Sequence, residues 1–287
     1  MARLMFSLSR IPQPKIGSFQ FCNDGTITLT NRPLICAVMI LENEGTPMTM
    51  QRETTYASTE PFIADMFSFH DKRFLTYANM IYDDVDCRSE MAARLLLRML
   101  AHRYIRQDQR NGPFFLQLDD FHASNIFVDA NWNITSLIDL EYICALPVER
   151  LTVPYWLTGC AINELREERW DEFNKIREEF MDVFEAEARN VTAEHDLSLA
   201  QIMRETWESG GVWFWQGMMS INAMSCLFTN HILPRFLSRL MFREEELLSK
   251  FWSEDASEVV KRKVEENKNY TAELESLFSS SVVNKRS

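Results

Sequence analysis

Glycine is scarce, with eight in 287 residues, and none of the eight falls in a G-x-G-x-x-G or G-x-x-x-x-G-K arrangement. Without such a loop the chain has no glycine-rich backbone to cradle a nucleotide's phosphates, which excludes a P-loop or a Rossmann crevice. Lysine is short too: the first 100 residues hold only Lys15 and Lys72, neither in a strand of the V-A-I-K type. The six cysteines, Cys22, Cys36, Cys87, Cys144, Cys160 and Cys226, form no C-x-x-C pair and do not cluster with the five histidines. A zinc finger and a thiol-redox motif are therefore excluded, and reduced thiols in the cytoplasm are expected. Basic residues are outnumbered 30 to 42, giving a net charge of −12. Phosphates would repel so acidic a surface, so no nucleic acid partner is expected. The apolar run at 212–228 is interrupted by Gln216, Ser220, Asn222 and Ser225, which predicts one buried helix and no membrane span.

What is present is enough for a full core, with 46% hydrophobic and 25% charged residues. The most informative stretch is 116–141, LQLDDFHASNIFVDANWNITSLIDLE. Two apolar runs, 125–129 and 134–139, flank the turn-forming Ala130-Asn131-Trp132-Asn133 and predict a β-hairpin with polar residues at its ends. Asp120 precedes Asn125 by five residues, and Asp139 closes the second run. That is the spacing phosphoryl-transfer loops use, with a carboxylate near the attacking hydroxyl and oxygen ligands for magnesium. Asp120 suits the first task, and Asn125 with Asp139 the second. An ordinary carboxylate, with pKa ~3.9, is a weak base toward an alcohol, so Asp120 would orient the hydroxyl and take its proton late.

These residues carry a family resemblance. Asp120-Phe121-His122-Ala123-Ser124-Asn125 resembles the Asp-Leu-His-x-x-Asn catalytic loop of the aminoglycoside phosphotransferase family, and Ile138-Asp139-Leu140-Glu141 resembles its Ile-Asp-Trp-Glu metal-binding turn. Similarity to fungal members runs from Ser9-Arg10-Ile11-Pro12 and Ile16-Gly17-Ser18, through Thr30-Asn31-Arg32-Pro33, to Pro154-Tyr155-Trp156-Leu157-Thr158-Gly159, covering roughly 9–185. The resemblance implies a mainly α-helical α+β fold with small β-hairpins, the C-terminal lobe of a protein-kinase-like enzyme, spanning 1–278. Within it lie a catalytic loop at 116–141 and a helical part at 160–278, followed by a disordered tail at 279–287.

The implied chemistry is ATP- and magnesium-dependent phosphoryl transfer to a small-molecule hydroxyl. Asp120 and His122 would be catalytic, and Asn125 and Asp139 would bind the metal and nucleotide. Two readings of His122 stay open, a contact with the transferred phosphoryl group and a hydrogen bond that fixes the loop. The family's loop begins His-Gly-Asp where this chain has Leu118-Asp119-Asp120, so its bracing histidine is absent, and Asp119 reads either as a loop brace or as a carboxylate neighbour of Asp120. The family's N-terminal lobe, with its nucleotide-covering loop and lysine, has no counterpart here. Weak ATP binding and little or no activity by this chain alone are expected, with the lobe supplied by an upstream segment or a partner. The alternative is a catalytically silent lobe acting as a binding module. Glu141 would brace the metal or simply support the loop, and Glu149 with Arg150 reads as an exposed pair.

Elsewhere the pattern predicts a first helix at 1–10 and a hairpin around Asn23-Asp24-Gly25. A helix opens at Thr59-Glu60-Pro61, and another spans 89–105 behind the capping acids Asp83, Asp84 and Asp86. A long amphipathic helix carries Leu165, Phe173, Ile176, Phe180 and Phe184, and a charged helical stretch at 243–278 is anchored by Leu247, Phe251, Val259 and Leu274.

Overall fold

The computed structural model of the chain describes residues 1–165, 167–190 and 198–283. Helix α1 (Ala2–Ser9) leads into strands β1 (Ser18–Phe21) and β2 (Ile27–Asn31), an antiparallel hairpin turned at Gly25 with φ 84°. Only glycine takes that conformation without a Cβ clash. The turn is locked by Asp24, whose carboxylate accepts from the Thr26 N–H at 3.0 Å. Helix α2 (Cys36–Asn43) follows, and α3 (Thr59–Thr76) starts with Pro61 in its first turn, where a missing N–H costs nothing.

Helix α4 (Asp84–Leu100) begins earlier than the expected position 89, because its acids form the first turn rather than precede it. The Asp83 carboxylate accepts from the Asp86 N–H at 2.8 Å, and Asp86 in return accepts from the Tyr82 N–H at 2.9 Å. Reciprocal caps of this kind satisfy donors that the helix leaves unpaired.

Strand β3 (Phe115–Leu118) leaves the core and β6 (Ile143–Leu146) returns to it, paired antiparallel. Between them β4 (Ile126–Val128) and β5 (Ile134–Leu137) make the predicted hairpin, which among the described residues is hydrogen-bonded to no other sheet. Its turn is held by Asp129, which accepts from the N–H groups of Asn131 and Asn133 at 2.8 and 2.9 Å.

Further helices follow: α5 (Glu167–Asn190), α6 (Leu199–Ser209), α7 (Gly211–Met219), α8 (Met224–Leu227), α9 (Phe242–Trp252) and α10 (Ala256–Val283). The architecture is thus α+β and mainly helical. The run at 212–228 is two helices, not the one expected. Ser220 interrupts it by accepting from the Asn222 and Ala223 N–H groups at 3.3 and 3.1 Å, a hydroxyl competing with the helix ladder. The stretch at 243–278 is likewise two helices, and its expected anchors Leu247 and Phe251 are exposed, the buried stripe falling on Ala256, Val260 and Lys263. Helix α10 continues through Val283, into the stretch expected to be a disordered tail, and 284–287 lie outside the described residues.

The main core joins α3 and α7, with Phe62, Phe67, Phe214 and Trp215 essentially inaccessible, and reaches Leu116, Cys144 and Leu146 on β3 and β6. Each such side chain contributes about 1.5–3 kcal/mol by leaving water. The strand pair that carries the 116–141 segment is therefore anchored in the main core. His70 on α3 is 2% exposed and donates from Nε2 to the Met218 carbonyl at 2.9 Å. Burial drives its pKa down to about 4, outweighing that hydrogen bond, so the imidazole is neutral at pH 7. Among the described residues no helix is long and apolar enough to cross a membrane.

Candidate functional site

At the end of β3 the chain passes into two adjacent aspartates with opposite surroundings. The Asp119 side chain is 4% exposed, and its carboxylate accepts from the Cys36 N–H at 2.9 Å and from Arg150 Nη2 at 3.0 Å. Its own N–H donates to the Tyr142 carbonyl at 3.1 Å. One residue thus ties together the loop, the N-terminus of α2 and the turn at 148–150. Burial pushes the Asp119 carboxyl up, against the pull of Arg150 and the Cys36 N–H. The expectation that Glu149 and Arg150 form an exposed pair is wrong: Glu149 is 1% exposed and accepts from the Arg106 N–H at 2.7 Å, while Arg150 faces Asp119. Two charged neighbours in a short turn look solvated in sequence; here each neutralises a different buried donor or acceptor.

Asp120 is only half-buried, and its backbone carbonyl accepts from Asn125 Nδ2 at 3.0 Å. The five-residue step in the sequence is thus a closed loop. Asn125 is 3% exposed, donates its N–H to the His122 carbonyl at 3.0 Å and accepts from the Ile138 N–H at 3.1 Å. That last bond sets the Asp139 backbone one residue from Asn125's partner on the facing strand. Asp139 is exposed and sits at φ 54°, a left-handed conformation uncommon outside glycine, asparagine and aspartate. Such positions hold a small strain and are enriched at functional turns. His122 Nδ1 meets the Ser124 hydroxyl at 2.6 Å, so the loop-fixing bond exists.

Cys36 completes the site and was not expected from the sequence. Its thiol is pushed up to about 12, first by burial, then by the charges of Asp120 and Asp119, a hydrogen bond to Asp120 and the charge of Glu141. The Tyr142 hydroxyl is raised first by burial and then by its neighbours in the same cluster, among them the Glu141 and Asp120 carboxylates. Three carboxylates therefore share one neighbourhood, and among the described residues only Asp119 has a cationic partner, Arg150. A phosphate chain would be repelled unless a divalent cation came with it.

Among the described residues no group of three or more His, Cys, Asp or Glu side chains is placed to hold a metal. Magnesium is nonetheless bound in phosphoryl-transfer sites by one or two protein oxygens, with water and phosphates completing the shell. The donors here suit that arrangement, because Asn125 spends its amide nitrogen on the Asp120 carbonyl and its side-chain oxygen accepts no hydrogen bond from the described residues, while the Asp139 carboxylate is open to solvent. Comparison with protein-family models, with curated proteins and with solved structures returned no match.

Proposed function

We propose that the chain is an aminoglycoside-phosphotransferase-like lobe of kinase-like fold, built for ATP- and magnesium-dependent phosphoryl transfer to a small-molecule hydroxyl. The observation that carries this reading is the closed Asp120 to Asn125 loop, stitched through the Ile138 N–H to the turn bearing Asp139. In this account Asp120 orients the acceptor hydroxyl and takes its proton as the bond to phosphorus forms. Asn125 Oδ1 and the Asp139 carboxylate would hold magnesium, whose contribution is to neutralise charge on the phosphates. Asp119 does not react; it holds the loop by its bonds to Arg150 and Cys36. Loop fixing through Ser124 is the better supported role for His122.

A second reading, a catalytically silent lobe used for binding, is favoured by one observation. The hairpin beside Asp120 leaves Phe127, Val128, Trp132, Ile134, Ile138 and Leu140 between 42% and 84% exposed. Apolar side chains on an otherwise unpaired two-stranded sheet mark a surface suited to a partner or to an upstream lobe supplying the nucleotide cover. The two readings separate on turnover. ADP formation from Mg–ATP is measured with a panel of amino sugars, choline and amino alcohols, alone and with Asp120→Ala. Acceptor-dependent ADP lost in the variant supports phosphoryl transfer, whereas Mg–ATP binding without turnover under any acceptor supports the silent lobe.

A further inference from the structure

Behind the loop, on the Asp119 side, lies a cavity of about 120 Å³ between α1, the end of β3 and the 150–156 segment. An engineered core cavity of roughly 150 Å³ binds benzene, so this one has room for a single small ring and not for a nucleotide. Its apolar walls include Leu8, Phe121 and Trp156, the last two meeting edge to face at 6.1 Å and 74°. Such walls favour a flat ring.

The polar lining is selective. Gln117 and Gln216 are each 6% exposed and line the cavity. Gln117 donates from Nε2 to the Pro147 carbonyl at 2.9 Å, and Gln216 donates from Nε2 to the Thr152 hydroxyl at 2.9 Å. Neither glutamine's side-chain oxygen accepts a hydrogen bond from the described residues. The orientation of Gln117 is fixed chemically, because its partners are carbonyls, which only the amide nitrogen can satisfy. Both oxygens are free to accept from a bound molecule, and Arg150 Nε, which lines the same cavity, is buried without a partner among the described residues, so a group that both donates and accepts, such as a hydroxyl, suits the lining.

Charge narrows the class. Asp119 and Arg150 both line the cavity and neutralise each other at 3.0 Å. An anion would meet Asp119 and the glutamine oxygens, and a cation would meet Arg150. We propose that this cavity binds a small neutral ring compound bearing hydrogen-bond donors, which satisfies Gln117 and Gln216 while its ring lies against Phe121 and Trp156. The site stands apart from phosphoryl transfer and does not rest on that activity, although Phe121 is the residue next to Asp120.

The test uses the full chain with its methionine methyl groups labelled with carbon-13. Met5 lines the cavity, and its resonance is assigned by its loss in Met5→Leu. Phenol, toluene and benzylammonium are titrated separately. The expected result is a saturable Met5 shift with phenol, at least tenfold tighter than with toluene or benzylammonium. Leu8→Trp, which fills the cavity from the α1 wall, should abolish the shift while circular dichroism stays unchanged, and Asp120→Asn should leave it intact. Gln117→Leu should erase the preference for phenol; should that variant unfold for want of a donor to Pro147, the phenol to toluene ratio in the unaltered protein still decides. No saturable shift of Met5 overturns the proposal, and so does toluene or benzylammonium binding as tightly as phenol.

Discussion

Asp119 and Asp120 are adjacent, chemically identical and placed in opposite environments. Asp119 is sealed, paired with Arg150 and bonded to the first N–H of α2. Asp120 is half-open, its side chain sharing space with Cys36 and Glu141 rather than with a cation. The same contrast runs outward, since β3 and β6 are anchored in the core while the β4–β5 hairpin they hold stands exposed. One aspartate fixes the frame and the other is left open beside it, and the proposed chemistry falls to the open one.

The largest expected effect comes from breaking the sealed side. Asp119→Ala leaves the partly buried Arg150 and the Cys36 N–H without their acceptor and should cost about 3 kcal/mol in urea unfolding, whereas Asp120→Ala should cost less than about 1 kcal/mol. Equal losses would erase the distinction. Sharpening it further, Asp119→Leu with Arg150→Met removes both charges together and should recover most of the loss, because a buried pair contributes little over well-packed apolar groups.

Next in size is a pH effect that belongs to the sealed interior. His70 has a folded pKa of about 4, below its unfolded value near 6.5. The unfolded chain therefore binds the extra proton first, and stability falls as pH drops from about 6.5 to about 4, by on the order of 3 kcal/mol for this group. His70→Gln should flatten that window in urea titrations at stepped pH; an unchanged slope would remove His70 as its source. The open side offers the smallest effect. Alkylation of Cys36 by iodoacetamide at pH 8, followed by peptide mass spectrometry, should be slow and should accelerate several-fold in Asp120→Asn, since removing that charge lowers the thiol pKa.

The helical α+β class, both hairpins and the capping acids were legible because each rests on local chemistry: turn residues at Asn23-Asp24-Gly25 and Asp129 to Asn133, and carboxylates that cap their own helix. The Asp120 to Asn125 spacing was legible for the same reason, being closed by a bond five residues long. Arg150 and Cys36 were not. Arg150 lies 31 residues from Asp119 and Cys36 lies 83, so their roles appear only when β6 returns beside β3 and α2 packs its N-terminus on the loop. The break at Ser220 was hidden by hydrophobicity, which marks burial and says little about where a helix stops. The anchors of the 243–278 stretch were misplaced because Leu247 and Phe251, on α9, are apolar without facing the core.

The most direct test of the central claim is calorimetric titration of the chain with a non-hydrolysable ATP analogue, with and without magnesium, beside Asp139→Ala. Weak binding that requires magnesium and disappears in Asp139→Ala is the predicted result. Binding that ignores both magnesium and Asp139, or none at millimolar analogue, would contradict the assignment of Asn125 and Asp139 as the floor of a nucleotide site.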